Sequence, residues 1–191
     1  YFPKQVRPKT IITRSVADIE DFYKANGNKI ILKPLQGSGG RNVFLINKQE
    51  VKNLNQIVDA ICRDGFVVAQ EYLPAAKNGD IRLFLLDGEP IVVNGHYAAV
   101  HRLQKKGEIR SNIHQGGSAG KARITKRIKQ IIDLVGPKLK EDGMFLTGLD
   151  IVGDKLMEVN VFSPGGLVHA CELYGEDFYT PVIKAIEAKL K

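Results

Sequence analysis

The sequence predicts an α+β fold with largely antiparallel sheets, and three observations support that class. Amphipathic stripes with helix-capping residues alternate with short runs of β-branched and apolar residues. Two-residue turn signals, Asp87-Gly88 and Gly153-Asp154, join successive runs in the way that antiparallel hairpins do. The 191 residues include 43% hydrophobic and 26% charged residues, which is ordinary for a globular chain of one domain or two small ones.

The first third of the chain is predicted to contain two helices and three strands. Ser15 is a good N-cap for a helix that buries Ile19, Phe22 and Tyr23 and ends at Gly27. A second amphipathic helix is predicted over residues 50–64. The predicted strands, with a glycine-rich turn from Gln36 to Arg41 between the first two, are Ile30–Lys33, Val43–Ile46 and Phe66–Tyr72.

The remainder is predicted to hold two hairpins and two helices. The first hairpin pairs residues 81–86 with residues 91–96, and a looser Gly-, Ser- and Lys-rich stretch follows over residues 102–121. An amphipathic helix over residues 125–140 precedes the second hairpin. A last helix is predicted over residues 179–190.

Two carboxylates and an amide lie in the second hairpin. Glu158 and Asn160 are two residues apart in a β-like run, so both side chains leave the same face of one strand. Asp150 lies across the Gly153-Asp154 turn. Three converging oxygen donors favour a hard cation such as Mg²⁺, which takes its other ligands from water and phosphates.

This metal hypothesis makes a demand on the strand register. A regular two-residue Gly153-Asp154 turn would pair Asp150 with Met157 and place Asp150 on the face opposite Glu158. For the three donors to share metals, the hairpin needs an odd loop or a β-bulge, so that Asp150 aligns with Leu156 and Glu158 instead.

The segment ILKPLQGSGG carries a second signal. It lacks the Gly-Lys-Ser/Thr ending of a P-loop and leads into a strand, so it resembles a hairpin turn whose backbone N–H groups lie over phosphates. Lys33, on the incoming strand, adds a positive charge for those phosphates. The alternative is a plain flexible hairpin with a surface lysine.

Two further patterns each allow a functional and an ordinary interpretation. The strand end Ala69–Pro74 is suited to present backbone groups to a flat heterocycle, or it is simply a strand end. An anionic substrate would be bound if three arginines and an asparagine converge: Arg82, Arg102, Arg110 and Asn112. The alternative is that the three arginines are solvated surface charges. Arg82 fits the second interpretation least, because it opens an apolar run where an unpaired charge is costly.

The composition of the chain favours some classes of binding partner and cellular location over others. The 28 basic and 21 acidic residues give a net charge of +7, which suits a phosphate-bearing ligand or nucleic acid. Aromatic residues make up 7% and are not interleaved with basic ones, so nucleic acid is disfavoured. No apolar run has the length of a membrane span, and no leader pattern is present. Cys62 and Cys171 indicate a reduced, cytoplasmic protein, with a single disulfide as the alternative.

The order of four motifs resembles the ATP-grasp ligases, and bacterial-type glutathione synthetase in particular. The motifs are ILKPLQGSGG, AQEYLPAAKNGDIR, RSNIHQGGSAGKA and GLDIVGDKLMEVNVFSP, and the resemblance covers nearly the whole chain. RSNIHQGG is also similar to the ribosomal-protein glutamate ligases, which are the alternative. The resemblance implies an ATP-grasp fold over residues 1–191, with two α+β subdomains gripping ATP between them: a nucleotide lid at about residues 13–73 and a catalytic, metal-binding part at about residues 74–191. It also implies a substrate-binding domain upstream in a longer protein.

The resemblance implies the following site. Two Mg²⁺ ions, with Mn²⁺ as an alternative, would bind to Asp150 with Glu158 and to Glu158 with Asn160. Arg82, Arg102, Arg110 and Asn112 would face the transferring phosphate and the peptide. Substrate carboxylate would meet Ser163, Gly165 and Gly166. The ATP-binding residues would be Lys33, Gly37, Ser38, Gly39, Gly40, Gln70, Glu71, Tyr72, Leu73 and Asp80.

The implied reaction joins γ-glutamylcysteine to glycine through an acylphosphate and releases ADP and phosphate, with a mobile lid over residues 110–120 that excludes water. Resemblance further suggests a homo-oligomer, while the composition predicts a cytoplasmic protein without membrane or nucleic-acid partners. The segment 165–169 differs from that of the best-known glutathione synthetases. Another peptide-forming ATP-grasp ligase, or a nucleotide-binding fragment without turnover, are the alternatives.

Overall fold

A computed structural model of the chain describes residues 1–36, 41–103 and 118–191. The chain divides into two compact units. The smaller unit is Pro8–Pro74, and the larger unit combines Tyr1–Arg7 with Ala75–Lys191. None of the helices within the described ranges has the length and apolar character that crossing a bilayer requires.

The smaller unit contains a four-stranded sheet in the order β1-β4-β2-β3, with every neighbouring pair antiparallel. Apolar residues of the sheet, including Ile30 and Leu32, pack with Ile19 and Val58 of two helices in one core. Its elements are β1 (Thr10–Thr13), α1 (Val16–Ala25), β2 (Ile30–Pro34), β3 (Phe44–Ile46), α2 (Leu54–Cys62) and β4 (Val67–Glu71).

Helix α1 begins where its cap predicts, because Ser15 Oγ accepts a hydrogen bond from the backbone N–H of Asp18. The predicted helix over residues 50–64 is only partly α-helical, since Glu50–Asn53 forms a 3₁₀ turn before α2. Strand β1 was not predicted, and it forms an edge of the sheet through β4. Of the glycine-rich turn, residues 37–40 lie outside the described residues.

The larger unit is built around a six-stranded sheet with the order β10-β9-β5-β11-β12, and β6 pairs with β5 beside this path. Strands β7 and β8 form a separate two-stranded ribbon. The strands are β5 (Asp80–Leu86), β6 (Glu89–Pro90), β7 (Val92–Val93), β8 (His96–Tyr97), β9 (Ala99–Leu103), β10 (Ser118–Lys121), β11 (Leu146–Val152) and β12 (Lys155–Asn160). The helices are α3 (Lys126–Glu141), α4 (Leu167–Tyr174) and α5 (Tyr179–Lys189).

The two faces of this sheet carry separate apolar clusters. Leu83 and Leu85 pack with helix α3, which was predicted over residues 125–140. Its N-cap is Thr125, whose Oγ1 accepts a hydrogen bond from the N–H of Ile128. Phe84 leaves the opposite face of β5 and packs with residues of α4 and α5. The second face is therefore apolar at the end of the sheet where Phe84 lies.

The prediction of one strand over residues 91–96 is wrong. Asp87-Gly88 does turn the chain with positive φ angles, but only Glu89–Pro90 pairs back onto β5. A second turn at Asn94-Gly95, with φ of 47° and 80°, then joins β7 to β8. Asn-Gly is itself a strong two-residue hairpin signal, and it breaks the predicted strand into two short ones.

Both ends of the loose stretch predicted over residues 102–121 belong to strands. Arg102 belongs to β9, and residues 118–121 form β10 antiparallel to it. The predicted lid over residues 110–120 therefore overlaps β10 at its end, and residues 104–117 lie outside the described residues. Helix α4 was not predicted, because its N-cap Gly166 offers no capping side chain and has φ of 103°.

The hairpin of β11 and β12 contains the β-bulge that the metal hypothesis demands. Ile151 pairs with Leu156, but the next residue, Asp150, pairs with Glu158, so Met157 is the extra residue. The predicted bulge and the predicted alignment of Asp150 with Glu158 are confirmed. The predicted alignment of Asp150 with Leu156 is wrong, because Leu156 pairs with Ile151 and lies in the core on the other face. Glu158 and Asp150 consequently share one face of the sheet.

Candidate active site

A cluster of four charged residues occupies the same sheet face as Phe84, at the opposite end of β5. Asp80 and Arg82 alternate with Ile81 along β5, so both reach this face. The register then places Arg82 beside Asp150 of β11 and Asp80 beside Arg102 of β9. We call these four residues, Asp80, Arg82, Arg102 and Asp150, the charged cluster.

Asp150 is the centre of the charged cluster and is only 7% exposed. Arg82 donates two parallel hydrogen bonds to its carboxylate, from Nε to Oδ1 and from Nη2 to Oδ2, and the second is 2.9 Å long. Arg102 Nη2 lies 2.9 Å from the same Oδ2. Fork-to-fork pairing of this kind satisfies a carboxylate that would otherwise be costly to bury.

Asp80 completes the charge balance. It accepts two hydrogen bonds from Arg102, one of them from Nε at 3.0 Å. Burial disfavours the charge of Arg102, but its hydrogen bond to Asp80 and the charges of Asp150 and Asp80 outweigh that effect and raise the pKa of Arg102 above its ordinary value. Arg102 therefore keeps its charge although most of its side chain is buried.

Arg82 also fixes the segment that follows β12. Its Nη1 donates a 2.9 Å hydrogen bond to the carbonyl oxygen of Gly165. Asn160 Nδ2, at the end of β12, donates to the carbonyl oxygen of Gly148 at 3.2 Å and to Asp150 Oδ2 at 3.4 Å. The segment 161–164 is thus tied to the charged cluster at both of its ends.

Gly148 makes this arrangement sterically feasible. A Cβ atom at Gly148 would lie 2.9 Å from Arg82 Cδ, 3.4 Å from Arg82 Nε and 3.1 Å from Pro164 Cβ. Any side chain on β11 at this position would push against both groups. An isolated glycine within a strand signals such a close approach, and the sequence patterns considered above did not use it.

The three predicted metal ligands lie on one face. Asp150 is opposite Glu158, Gly148 is opposite Asn160, and Glu158 is exposed without a hydrogen bond or ion pair to the described residues. Within the described ranges no group of three His, Cys, Asp or Glu side chains is arranged to hold a metal ion. Two carboxylates with an amide oxygen still suit Mg²⁺ chemically, since it keeps few protein ligands. A cation would compete with Arg82 and Arg102 for Asp150.

The predicted substrate-carboxylate residues form the entry to helix α4. Ser163 has a φ of 47°, a left-handed conformation that costs a non-glycine residue roughly 1 kcal/mol. Gly166 has a φ of 103° and is the N-cap of α4. The backbone N–H groups after Gly166 are unpaired within the first turn of that helix, as at any helix start. Gly165 is oriented by its hydrogen bond to Arg82.

The predicted nucleotide residues of the smaller unit lie on β2 and at the end of β4. Lys33 lies on β2 opposite Val68, and Gln70 on β4 is 4% exposed. The Nε2 atom of Gln70 donates to Thr10 Oγ1 at 3.1 Å, while its Oε1 has no hydrogen-bond partner among the described residues. A buried amide oxygen without a partner is costly unless a ligand or water satisfies it.

The residues after Gln70 are less buried. Glu71 accepts a 2.8 Å hydrogen bond from the backbone N–H of Lys9. The ring of Tyr72 lies under Lys29, whose Nζ is 3.9 Å from the ring centroid. Leu73 immediately follows and is half-buried.

Asp80 was predicted to contact ATP, and in the structure it accepts two hydrogen bonds from Arg102 in the larger unit. Its contact with ATP stays a prediction. The predicted residues Gly37, Ser38, Gly39, Gly40, Arg110 and Asn112 lie outside the described residues.

The two sheets and the site define an ATP-grasp protein, and solved structures show the same fold. The ATP-grasp ligase PsnB complexed with minimal precursor, Mg and ADP matches with a TM-score of 0.67 and 17% identity, over 97% of this chain and 54% of that one. D-alanine–D-alanine ligase from Bacillus anthracis complexed with ATP matches with a TM-score of 0.63 and 18% identity, over 97% and 60%. The predicted ATP-grasp fold is confirmed.

The chain belongs to the prokaryotic glutathione synthetase ATP-grasp domain family, whose pattern matches residues 1–175. It is 37% identical over 185 residues to the glutathione synthetase of Shewanella oneidensis, covering 96% of this chain and 56% of the relative. Against that of Thermosynechococcus vestitus it is 40% identical over 172 residues, covering 89% and 52%. The chain thus spans little more than half the length of these relatives. The predicted family resemblance is confirmed.

Proposed function

We propose that this chain is the ATP-grasp part of a glutathione synthetase, which joins γ-glutamylcysteine to glycine and converts ATP to ADP and phosphate. The observation that carries the proposal is the bulged hairpin: Met157 turns Glu158 and Asn160 to the face that holds Asp150 and the charged cluster. Family membership and the identity to glutathione synthetases support the same reaction.

The proposed reaction has two steps. A carboxylate oxygen of γ-glutamylcysteine attacks the γ-phosphorus of ATP, which gives an acylphosphate and releases ADP. The glycine amine then attacks the acyl carbon, the amide bond forms, phosphate leaves and the amine loses a proton. Neither step needs a covalent nucleophile from the protein, so catalysis rests on positioning and charge stabilisation.

Arg82 and Arg102 are suited to that charge stabilisation. Arg82 is buried and Arg102 is half-buried next to Asp150, and hydrogen bonds hold both guanidinium groups in a fixed orientation. A planar guanidinium binds a carboxylate or phosphate through two hydrogen bonds, and a fixed one needs little reorganisation when charge develops. Arg110 and Asn112 are proposed to act with them, as the resemblance implies.

Asp150 and Glu158 would hold one Mg²⁺, and Glu158 with Asn160 a second; Mn²⁺ is the alternative ion. When bound, such ions neutralise phosphate charge and orient the transferring group. The exposed position of Glu158 leaves its carboxylate open to ligation. Asp150 would exchange part of its pairing with arginine for the cation.

We further propose that residues 13–73 form a nucleotide lid and residues 74–191 the catalytic part. Lys33 and the Gly37–Gly40 turn would contact phosphates, and residues 70–73 the adenine. The unpartnered Oε1 of Gln70 is a fitting acceptor for an amino group on a base. The free thiols of Cys62 and Cys171 suit a reducing compartment such as the cytoplasm.

The experiment is ADP release by the full-length protein. With ATP and Mg²⁺, release is expected to require both γ-glutamylcysteine and glycine, and omission of either substrate is the control. Glutamate-terminated peptides with glutamate test the ribosomal-protein ligase alternative in the same assay. Binding of ATP without amide formation from any of these pairs would show a nucleotide-binding protein without this activity.

A further inference from the structure

Phe162 has the most exposed large hydrophobic side chain in the described part of the chain, at 92%. It lies in the segment between β12 and α4, far in sequence from either end of the chain. A phenylalanine in water loses the favourable burial that most aromatic side chains achieve. Its neighbour Val161 is also exposed, at 47%.

The backbone around Phe162 is held in place. Asn160, two residues before, donates its amide to Gly148 and Asp150, and Gly165, three residues after, accepts from Arg82. Two residues of chain span at most about 7 Å, so the Cα atom of Phe162 lies within that distance of the Cα atom of Asn160, whose side chain donates to Asp150.

Packing against β11 also holds the segment 161–164 in place. Pro164 occupies the space that the absent side chain of Gly148 leaves, and Ser163 is held at a φ of 47°. A strained conformation persists only where surrounding contacts enforce it. An exposed apolar ring thus lies on a short segment whose two ends are hydrogen-bonded to the charged cluster.

We propose that Phe162 is a specificity-determining residue that contacts the side chain of the substrate residue whose carboxylate is activated. This inference rests on the proposed function. If that carboxylate binds near Arg82, the side chain of the same substrate residue comes within reach of the segment that carries Phe162. In γ-glutamylcysteine that side chain is CH₂–SH, and a thiol makes favourable contacts with an aromatic ring.

The chemistry of an aromatic face predicts an order of substrates. An apolar or sulfur-bearing side chain gains from contact with the ring, whereas a hydroxyl of equal size must give up water without a hydrogen-bond partner. The donor residue is therefore predicted to be small and apolar or sulfur-bearing. Peptides that end in cysteine, 2-aminobutyrate and serine form a series of equal heavy-atom count.

The test is kcat/KM of the full-length protein with glycine and γ-glutamylcysteine, γ-glutamyl-2-aminobutyrate or γ-glutamylserine. The wild type is expected to prefer the aminobutyrate peptide over the serine peptide roughly tenfold, the scale of one apolar contact. Phe162→Ser is expected to reduce that ratio to below about threefold, and Phe162→Leu to keep most of it.

Leu190→Ser is the matched control, because Leu190 is 82% exposed but belongs to the C-terminal end of the chain. Its ratio should equal that of the wild type. An unchanged ratio in Phe162→Ser, or an equal fall of kcat/KM for all three peptides, overturns the inference. Thermal melting of each variant separates this from loss of folding. If the serine variant unfolds, Phe162→Asn, which is expected to lower the ratio in the same way, takes its place.

Absence of wild-type ADP release with every peptide would instead contradict the proposed function. A wild type that turns over all three peptides with equal kcat/KM contradicts only the role of Phe162. The two failures are thus distinguishable in one set of measurements.

Discussion

The two ends of one sheet face in the larger unit are stabilised in opposite ways. At one end Phe84 packs in an apolar cluster with residues of α4 and α5. At the other end Arg82, two residues earlier on the same strand, pairs with Asp150. Apolar packing tolerates small losses one contact at a time, whereas buried charges are stable only with their partners. Strand β5 therefore has one part whose stability rests on apolar packing and one part whose stability rests on paired charges.

The largest expected effect tests this contrast on stability. Arg82→Met leaves part of the Asp150 carboxylate without its partner and is expected to cost about 3 kcal/mol in the free energy of unfolding. Phe84→Ala removes a fully buried ring and is expected to cost about 3–5 kcal/mol. Urea unfolding measures both.

The two variants are expected to differ in whether a second substitution restores their stability. Asp150→Leu, added to Arg82→Met, should recover at least part of the lost stability, because both halves of the pair are then apolar. Added to Phe84→Ala it should recover nothing. A cost below about 1 kcal/mol for Arg82→Met would mean that the charged cluster is not interdependent.

The next effect concerns activity. Glu158→Gln removes the carboxylate that is proposed to touch both ions and is expected to lower kcat roughly a hundredfold, about 2.7 kcal/mol in barrier height. It should also raise the Mg²⁺ concentration for half-maximal rate. Steady-state ADP release across a Mg²⁺ titration measures both quantities, and Glu187→Gln, on the exposed side of α5, is the control. An unchanged Mg²⁺ dependence would contradict the metal assignment.

Gly148→Ala tests the tight packing beneath the charged cluster. The added methyl must displace Arg82 or Pro164, and overpacking of this kind costs roughly 1–3 kcal/mol. We expect a raised KM for the peptide substrate as well, since Arg82 moves. Gly120→Ala on β10 is the matched control, because no atom of the described residues lies within 4 Å of its added Cβ. Equal effects in both variants would show that only strand propensity matters.

The smallest effect on stability is expected at Asp177, a carboxylate outside both the charged cluster and the apolar cluster around Phe84. Asp177 is exposed and accepts hydrogen bonds from the side chain and backbone N–H of Thr180 and from the N–H of Tyr179, which lower its pKa. Since the folded pKa lies below the unfolded one, this stabilisation is present above the unfolded value of about 3.9 and disappears as pH falls through the folded value.

Asp177→Asn keeps the acceptor oxygen but loses the charge. The wild type should be slightly more stable than this variant at pH 7, and the two unfolding curves should converge as pH falls below about 4. Thermal unfolding at a series of pH values measures the difference. A gap that is independent of pH would assign the effect to geometry rather than charge.

Local signals in the sequence predicted the elements that have local causes. Ser15 and Thr125 mark two helix starts correctly, because a cap acts on the next three residues. The bulge at Met157 followed from a conflict between turn length and the required face. Helix α4 could not be predicted in the same way, since Gly166 caps it by conformation alone.

Long-range partners were beyond local patterns. Arg82 and Asp150 are 68 residues apart, and only the register of β5 with β11 brings them together. The sequence showed that a charge at Arg82 would need a partner, but not which one. The role of Gly148 was equally hidden, because it depends on Pro164 and Arg82 approaching from other elements.

The extra residue at Met157 sets a parity rule for the hairpin. Side chains alternate with a period of two, and seven residues separate Asp150 from Glu158, so with a two-residue turn one of the seven must stay unpaired for the two carboxylates to lie opposite each other. Deletion of Met157 would remove the bulge and leave Glu158 opposite Asp150 in a regular ladder. Family members that lack this residue should therefore hold the same two carboxylates together on a regular hairpin.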